Sequence, residues 1–167
     1  LMAYGGTVIL QSSQAQRFVP LDQFFLGPGR TVMKPAEILT SIVLETPSAF
    51  SGSSYIKLGT RRALEISIVS VASFLTLESP GGRIRSARIV LGSVAPVPMR
   101  AMDAEKTLIG EIPSQSLFTK AGETAAGESK PIDDHRGTAG YRRDMVSVLT
   151  QKTLQAALER ANSSQRE

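Results

Sequence analysis

The chain has 167 residues, enough for one ordinary domain or for a small domain with an appendage. Its apolar fraction of 41% and its charged fraction of 20% indicate a globular protein and argue against a disordered one. The absence of cysteine excludes disulfides, thiolate metal sites and cysteine-bound iron–sulfur clusters, and the single histidine, His135, leaves little room for a histidine metal site or a Ser-His-Asp triad.

Charge and hydropathy exclude two further classes of partner. The net charge is a mild +4 and aromatic residues make up 5% of the chain, so we predict no nucleic-acid binding. No apolar run approaches the roughly 20 residues of a membrane helix, so we predict no membrane span. Residues 1–7 lack the basic segment of a signal peptide, and we expect a cytoplasmic location. The start at Leu1 leaves open whether the chain is a fragment or a processed product.

The first part of the chain is predicted to consist of short extended segments. Glycine and proline separate them, and Gly27-Pro28-Gly29 is the strongest break. The extended segments are residues 4–10, 17–20, 31–33 and 38–44. Thr46 to Ser54 holds proline, glycine and four serines, which predicts a linker and a domain boundary.

The second part of the chain is predicted to begin with a sheet. Tyr55 to Leu58 has the composition of a strand, and Ile66 to Leu77 is a long apolar run rich in isoleucine and valine. The length of that run also permits a helix, but the tight turn Ser79-Pro80-Gly81-Gly82 favours a strand that reverses into another. Alternate residues of the next strand should share one face: Ala87, Ile89 and Leu91.

Three helices are predicted after Pro98, at residues 101–109, 114–126 and 138–161. Gly110 follows the first as a C-terminal glycine, and Ser114 caps the second. The third has the clearest apolar stripe: Tyr141, Met145, Val148, Leu149, Leu154, Ala157, Leu158 and Ala161. The predicted fold class is α+β, with a three-stranded antiparallel sheet followed by three helices.

Several strings of the sequence match one known family in order and spacing. In the first part they are Arg17-Phe18-Val19-Pro20, Phe24-Phe25-x-Gly27-Pro28-Gly29 and Glu37-Ile38-Leu39. In the second part they are Tyr55-x-Lys57 with Arg61-Arg62, residues 87–100 from Ala87 to Arg100, Ala104-Glu105 with Gly110, and residues 134–143 from Asp134 to Arg143. With these strings the chain resembles the C-terminal part of the FAD-binding (medium) subunit of molybdenum hydroxylases, the family of xanthine dehydrogenase and carbon monoxide dehydrogenase.

The resemblance implies a domain organisation and a cofactor. Residues 1–48 would end an FAD-binding domain, residues 49–162 would form a C-terminal domain like that of the carbon monoxide dehydrogenase flavoprotein, and residues 163–167 would be a disordered tail. Electrons would pass from iron–sulfur clusters through FAD to an acceptor. The molybdenum cofactor and the iron–sulfur clusters would lie on large and small partner subunits, in agreement with the absence of cysteine here.

The resemblance also points to residues beside the flavin. Lys57 and Leu39 match family positions that line the flavin ring, where a cation would stabilise negative charge on the reduced ring. The alternatives from the residues alone are a solvated lysine on a strand and a core leucine. We predict no catalytic residue and no metal ligand in this chain. The family's pyrophosphate-binding glycine motifs precede the matched region and are absent here, so the chain should hold only part of a flavin site.

Other charged and glycine-rich segments are interpreted as structural. Arg61-Arg62 either steer an anionic cofactor, grip a neighbouring domain or form a solvated pair, and we favour the last. Glu65 is expected to pair with one of them. Asp133 and Asp134 should stabilise the start of the third helix, not perform acid–base or metal chemistry.

Two functions remain open at this point. In the first, the chain is part of a flavoprotein subunit of a molybdenum-dependent dehydrogenase and is inactive alone. In the second, it is a truncated, non-catalytic domain that docks to other subunits and does not bind FAD by itself.

Overall fold

The structure is a computed structural model that describes residues 1–61 and 64–163. Its strands are β1 (Thr7–Gln11), β2 (Gln16–Pro20), β3 (Phe25–Gly27), β4 (Arg30–Thr31), β5 (Ile38–Val43), β6 (Ser51–Leu58), β7 (Val69–Leu77), β8 (Ile84–Gly92) and β9 (Met99–Arg100). Its helices are α1 (Met102–Leu108), α2 (Gln115–Glu128) and α3 (Ala139–Ser163). The strands form three antiparallel sheets, in the orders β2-β1-β5, β3-β4 and β6-β7-β8-β9.

The largest sheet is covered on one face by the three helices. Leu75, Ile89 and Leu91 of this face are fully buried against residues such as Phe118 and Leu154. Burying a side chain of this size stabilises the fold by roughly 1.5–3 kcal/mol relative to leaving it exposed. The prediction that Ala87, Ile89 and Leu91 share one face is confirmed.

The other face of this sheet is covered by the N-terminal strands. Ala72 and Phe74 of β7 and Val90 of β8 pack into a second buried cluster with Val8 and Leu10 of β1. Strand β7 therefore buries apolar residues on both faces, which explains why apolar and polar residues do not alternate strictly along its sequence. The prediction of a strand within Ile66–Leu77 is confirmed from Val69 onward.

Local signals in the sequence located the helix ends well. The Ser114 hydroxyl accepts a hydrogen bond of 3.2 Å from the backbone N–H of Leu117, as expected of a cap. Gly110 has a φ of +83°, which is the left-handed conformation that favours glycine after a helix. The α+β class and the three helices are confirmed. Within the described residues, none of the helices is long and apolar enough to cross a membrane.

Two predictions about the sheet are corrected. The sheet has a fourth strand, β9, whose two residues pair with Val90 and Leu91 of β8. A pairing this short between Pro98 and the start of α1 leaves no periodic pattern in the sequence. The predicted linker is also too long, because Ser51 to Ser54 belong to β6 and pair with β7.

The buried stripe of α3 differs from the prediction. Tyr141 and Val148 are exposed, whereas Arg142, Thr150 and Thr153 are buried. Helix α3 packs against both the sheet and α2, so its buried surface is wider than one apolar stripe and includes polar side chains. The Thr153 hydroxyl bonds to the Ser73 hydroxyl at 2.7 Å, whereas the Thr150 hydroxyl has no partner among the described residues. In the predicted tail, Ser163 is the last residue of α3 and residues 164–167 lie outside the described residues. The boundary after residue 48 stays a prediction.

Candidate functional site

Lys57 projects from the sheet face that carries the N-terminal strands. Along β6, Ile56 and Leu58 pack against the helix-side core, so Ser53, Tyr55 and Lys57 alternate onto the opposite face. The Ser53 hydroxyl forms a hydrogen bond of 2.6 Å with the hydroxyl of Tyr4, which precedes the N-terminal strands. Lys57 lies four residues further along the same face and is exposed.

The residues that pair across the sheet from Lys57 have small side chains and are only partly buried. Lys57 pairs in register with Ser70 of β7, and Ser70 pairs with Gly92 of β8. A Cβ atom at Gly92 would overlap the Ser70 hydroxyl, so these two residues already fill the space between their strands. The long Lys57 side chain thus stands at the edge of a row of small residues, where a ligand can approach the sheet closely.

The connection between β6 and β7 supports the Lys57 ammonium. Lys57 Nζ donates a hydrogen bond of 2.5 Å to the backbone oxygen of Glu65. The Glu65 carboxylate turns back and accepts hydrogen bonds from the backbone N–H groups of Arg61, at 2.9 Å, and Thr60. These bonds, that from Arg61 first, lower the pKa of Glu65 below its ordinary value.

The expected ion pair between Glu65 and an arginine side chain is not the contact that Arg61 forms. The Arg61 guanidinium instead donates to the backbone oxygen of Leu64 at 2.6 Å. Arg62 lies outside the described residues. The Glu65 carboxylate therefore holds the backbone of the connection through hydrogen bonds. The charges in the sequence cannot distinguish this contact from an ion pair with a neighbouring arginine.

Leu39 lies on β5, the outer strand of the first sheet, where it pairs with Leu10 of β1. Its exposed fraction is 38%, so it is not a fully buried core leucine. Other aliphatic residues of this strand and its end are exposed as well: Ile38, Ile42, Val43 and Leu44. Leu39 and Lys57 belong to different sheets, and no hydrogen bond or buried cluster among the described residues joins them. Their shared role in lining a flavin ring stays a prediction.

A second set of charged residues lies at the bend before α3. The Asp133 carboxylate accepts a hydrogen bond of 2.5 Å from the backbone N–H of Ala139, the first residue of α3. Asp134 accepts hydrogen bonds from the backbone N–H of Arg136 at 2.8 Å and from the Arg142 guanidinium at 2.5 Å. These two bonds lower the pKa of Asp134 to about 2. The Asp133 contact agrees with the predicted role at the start of α3, whereas the Asp134 side chain bonds to Arg136 and Arg142. That neither acid performs acid–base or metal chemistry stays a prediction.

Arg142 is the residue of this site that the sequence did not single out. Its side chain is only 5% exposed. Besides Asp134, it donates to the backbone oxygens of Ile68, at 3.0 Å, and Ser93, at 2.8 Å. The Asp134 carboxylate and the two backbone oxygens compensate the desolvation of Nη1 and Nη2, whereas the buried Nε has no hydrogen-bond partner among the described residues.

The glycine-rich turns do not form a phosphate site. Gly27-Pro28-Gly29 leads into β4, and Gly81-Gly82 leads into β8. A phosphate loop requires the backbone N–H groups of a following helix, which neither turn supplies.

Comparison with known proteins identifies the family. Residues 54–157 match the model of the CO dehydrogenase flavoprotein C-terminal domain, and residues 1–47 match that of the FAD binding domain in molybdopterin dehydrogenase. The chain belongs to the CO dehydrogenase flavoprotein C-terminal domain family. The resemblance to the C-terminal part of FAD-binding medium subunits is thus confirmed.

Individual relatives support this assignment. The glyceraldehyde dehydrogenase medium chain of Sulfolobus acidocaldarius is 34% identical over 91% of this chain and 53% of its own length. The carbon monoxide dehydrogenase medium chain of Afipia carboxidovorans is 29% identical over 98% of this chain and 56% of its own. The solved structure of reconstituted CO dehydrogenase from Oligotropha carboxidovorans superposes with a TM-score of 0.88 at 30% identity, over 95% of this chain and 55% of that chain. The chain spans about half the length of the relatives it matches.

The residues present fit one side of the FAD that the matched domain model names. An exposed ammonium beside a row of small residues suits the edge of an anionic, planar ring, and exposed aliphatic residues on β5 suit its apolar faces. Neither glycine-rich turn supplies the backbone N–H groups of a helix start that would bind the pyrophosphate of FAD. The described residues therefore offer candidate contacts for the flavin ring, while neither glycine-rich turn binds the phosphates through a following helix.

Proposed function

We propose that this chain forms one side of the flavin pocket in the FAD-binding subunit of a molybdenum hydroxylase. The observation that carries the proposal is the exposed Lys57 ammonium, which the backbone oxygen of Glu65 holds on the face shared with the N-terminal strands. In that subunit FAD, when bound, would pass electrons from iron–sulfur clusters to an acceptor. The partners would be a molybdenum-binding large subunit and an iron–sulfur small subunit.

The chain's own residues would bind and orient the flavin. Lys57 would place a positive charge at the ring edge, where negative charge accumulates on reduction, and would thereby raise the reduction potential. Leu39 would present a methyl surface to the ring and exclude water from it. Arg61, with its guanidinium held by the backbone oxygen of Leu64, would add positive potential near the same edge.

One observation favours a second function. Neither glycine-rich turn opens a helix, so neither supplies the phosphate contacts that make up much of the affinity for a dinucleotide. A domain of this kind would dock to other subunits without binding FAD. This alternative predicts that Lys57 has no influence on a flavin.

Flavin binding separates the two functions. We expect FAD titrated into the 167-residue chain, followed by flavin fluorescence, to bind weakly or not at all. The complete subunit containing this sequence should instead be purified with the visible absorption spectrum of a bound flavin. Stoichiometric binding by the chain at low micromolar FAD would contradict the division of the pocket, and a complete subunit that is colourless and cannot be reconstituted with FAD would favour the second function.

A matched pair of variants makes the assignment specific to Lys57. Lys57→Met keeps roughly the length of the side chain and removes its charge. Lys152→Met removes another exposed charge, from α3, which packs on the other face of the sheet. In the complete subunit, only Lys57→Met should change the FAD dissociation constant or the flavin potential.

A further inference from the structure

We infer that Arg142 is a positioning residue for Lys57 and that it acts through the strand ends on either side of the Lys57 row. This inference rests on the proposed function, since it concerns a flavin-facing lysine. The role of Arg142 follows from three contacts that meet on one side chain and join segments far apart in the sequence.

The contacts of Arg142 lie at the borders of the row formed by Lys57, Ser70 and Gly92. One nitrogen, Nη1, donates to the backbone oxygens of both Ile68 and Ser93. Ile68 precedes Ser70 by two residues, and Ser93 directly follows Gly92. A single guanidinium therefore ties the residue before β7 to the residue after β8, close to Ser70 and Gly92, which pair across from Lys57.

The backbone at Ser93 and Ile68, which accepts the hydrogen bonds from Arg142, depends on contacts from its surroundings. Ser93 has a φ of +64°, a conformation that a non-glycine residue rarely adopts without help from its surroundings. Ile68 closes the β6–β7 connection, because its N–H donates to the backbone oxygen of Leu58 at 2.9 Å. The Arg142 guanidinium thus holds both the end of that connection and the turn after β8.

The connection passes this restraint to Lys57. Its described residues are 59–61 and 64–68, and Glu65 lies three residues before Ile68. The backbone oxygen of Glu65 accepts the Lys57 ammonium at 2.5 Å, while the Glu65 carboxylate holds the N–H groups of Thr60 and Arg61. If Ile68 shifts, the acceptor that orients Lys57 shifts with it.

Asp134 keeps Arg142 in place for this task. It bonds to Arg142 at 2.5 Å and to the Arg136 guanidinium at 3.1 Å, and its own position is fixed by the Arg136 backbone N–H. The ion pair supplies the negative charge that a guanidinium with 5% exposure requires. Removing the Asp134 charge should therefore loosen Arg142 without creating a cavity.

Hydrogen exchange of the full 167-residue chain tests the inference without any flavin. The variants are Arg142→Gln and Asp134→Asn, and the control is Arg143→Gln, which removes the exposed neighbouring arginine of α3. We expect the amides of Thr60, Arg61 and Ile68 to exchange at least about tenfold faster in the first two variants, which corresponds to about 1.4 kcal/mol of local opening. Core amides of β8 and α2 should keep their wild-type rates, and Arg143→Gln should change nothing.

Two outcomes would overturn the inference. Unchanged exchange at Thr60, Arg61 and Ile68 in a folded variant would show that Arg142 does not restrain the connection. A uniform acceleration across the chain would show a general contribution to stability and no positioning. If Arg142→Gln fails to fold, Asp134→Asn decides alone by the same criteria.

A second readout links the restraint to the flavin. In the FAD-loaded complete subunit, Asp134→Asn should shift the flavin potential in the same direction as Lys57→Met, and by less. If Lys57→Met shifts the potential and Asp134→Asn does not, the positioning role is contradicted while the proposed function stands. If neither variant shifts it, the proposed function fails and Arg142 positions nothing at a flavin, whatever the exchange rates show.

Discussion

The carboxylate of Asp134 accepts a hydrogen bond of 2.5 Å from the guanidinium of Arg142, eight residues further along the chain. This pair links the bend before α3 to a side chain that would otherwise be an uncompensated buried charge. Through the backbone oxygens of Ile68 and Ser93, it also links α3 to the strand ends beside Lys57.

Two carboxyl groups with strongly lowered pKa values, Glu37 and Asp134, predict how the free energy of unfolding changes in acid. The hydrogen bonds from the Arg17 guanidinium and from the backbone N–H of Lys34 lower the pKa of Glu37 to about 2, and that of Asp134 is also about 2. Unfolded carboxyl groups titrate near pH 4. Because the pKa values in the folded chain are lower, the contribution of these two carboxylates to the free energy of unfolding is complete above about pH 4. It is lost as the pH falls towards 2.

Urea unfolding of the chain at several pH values measures this loss. We expect the free energy of unfolding to fall between about pH 4 and pH 2. The double variant Glu37→Gln, Asp134→Asn should show a smaller slope over the same range. An equal slope in the double variant would mean that other carboxyl groups determine the acid stability.

The contact of β6 with α3 predicts a sharp steric limit at Gly52. A Cβ atom there would overlap the backbone oxygen of Ala157 and the backbone nitrogen of Ala161. Since backbone atoms cannot move aside as a flexible side chain can, we expect Gly52→Ala to lower the free energy of unfolding by about 1–3 kcal/mol. Denaturant unfolding measures the change.

Gly127 is the matched control for this substitution. It lies in α2 with open space around its Cα, so Gly127→Ala should be neutral or should stabilise the chain by up to about 1 kcal/mol. Equal effects of the two substitutions would contradict the close packing of β6 on α3.

Limited proteolysis tests the organisation of the chain. Residues 44–50 join β5 to β6 and belong to no strand or helix, whereas Ser51–Ser54 are paired in β6. We expect the first cleavage within residues 44–50, before any cut between Tyr55 and Gly110. A first cut inside β7, which is buried on both faces, would contradict its position at the centre of the sheet.

Much of the fold could be predicted from local signals in the sequence. The Ser114 cap, the glycine at Gly110 and the alternation around Ile89 each depend on residues close in the chain, and each was located correctly. Strand β9 was missed because two residues show no period. The predicted linker is too long because the small residues near Gly52 let β6 pack closely on α3, and flexible segments are rich in the same small residues.

The candidate site was less predictable for a physical reason. The burial of Arg142 depends on Asp134 and on two backbone oxygens, at residues 68 and 93, that come close only in the folded chain. A helix prediction from apolar residues therefore placed Tyr141 in the buried stripe and left Arg142 out. Lys57 was singled out through a family motif, since an exposed lysine on a strand has no distinguishing pattern of its own.

A redox titration of the FAD-loaded complete subunit tests most directly whether Lys57 faces the flavin. With Lys57→Met we predict a lower flavin potential than with wild type or the Lys152→Met control, because the removed charge no longer stabilises the reduced ring. A loss of about 1.4 kcal/mol would lower a two-electron potential by roughly 30 mV. An unchanged potential at normal FAD occupancy would contradict the prediction and leave Lys57 as a solvated lysine at the end of β6.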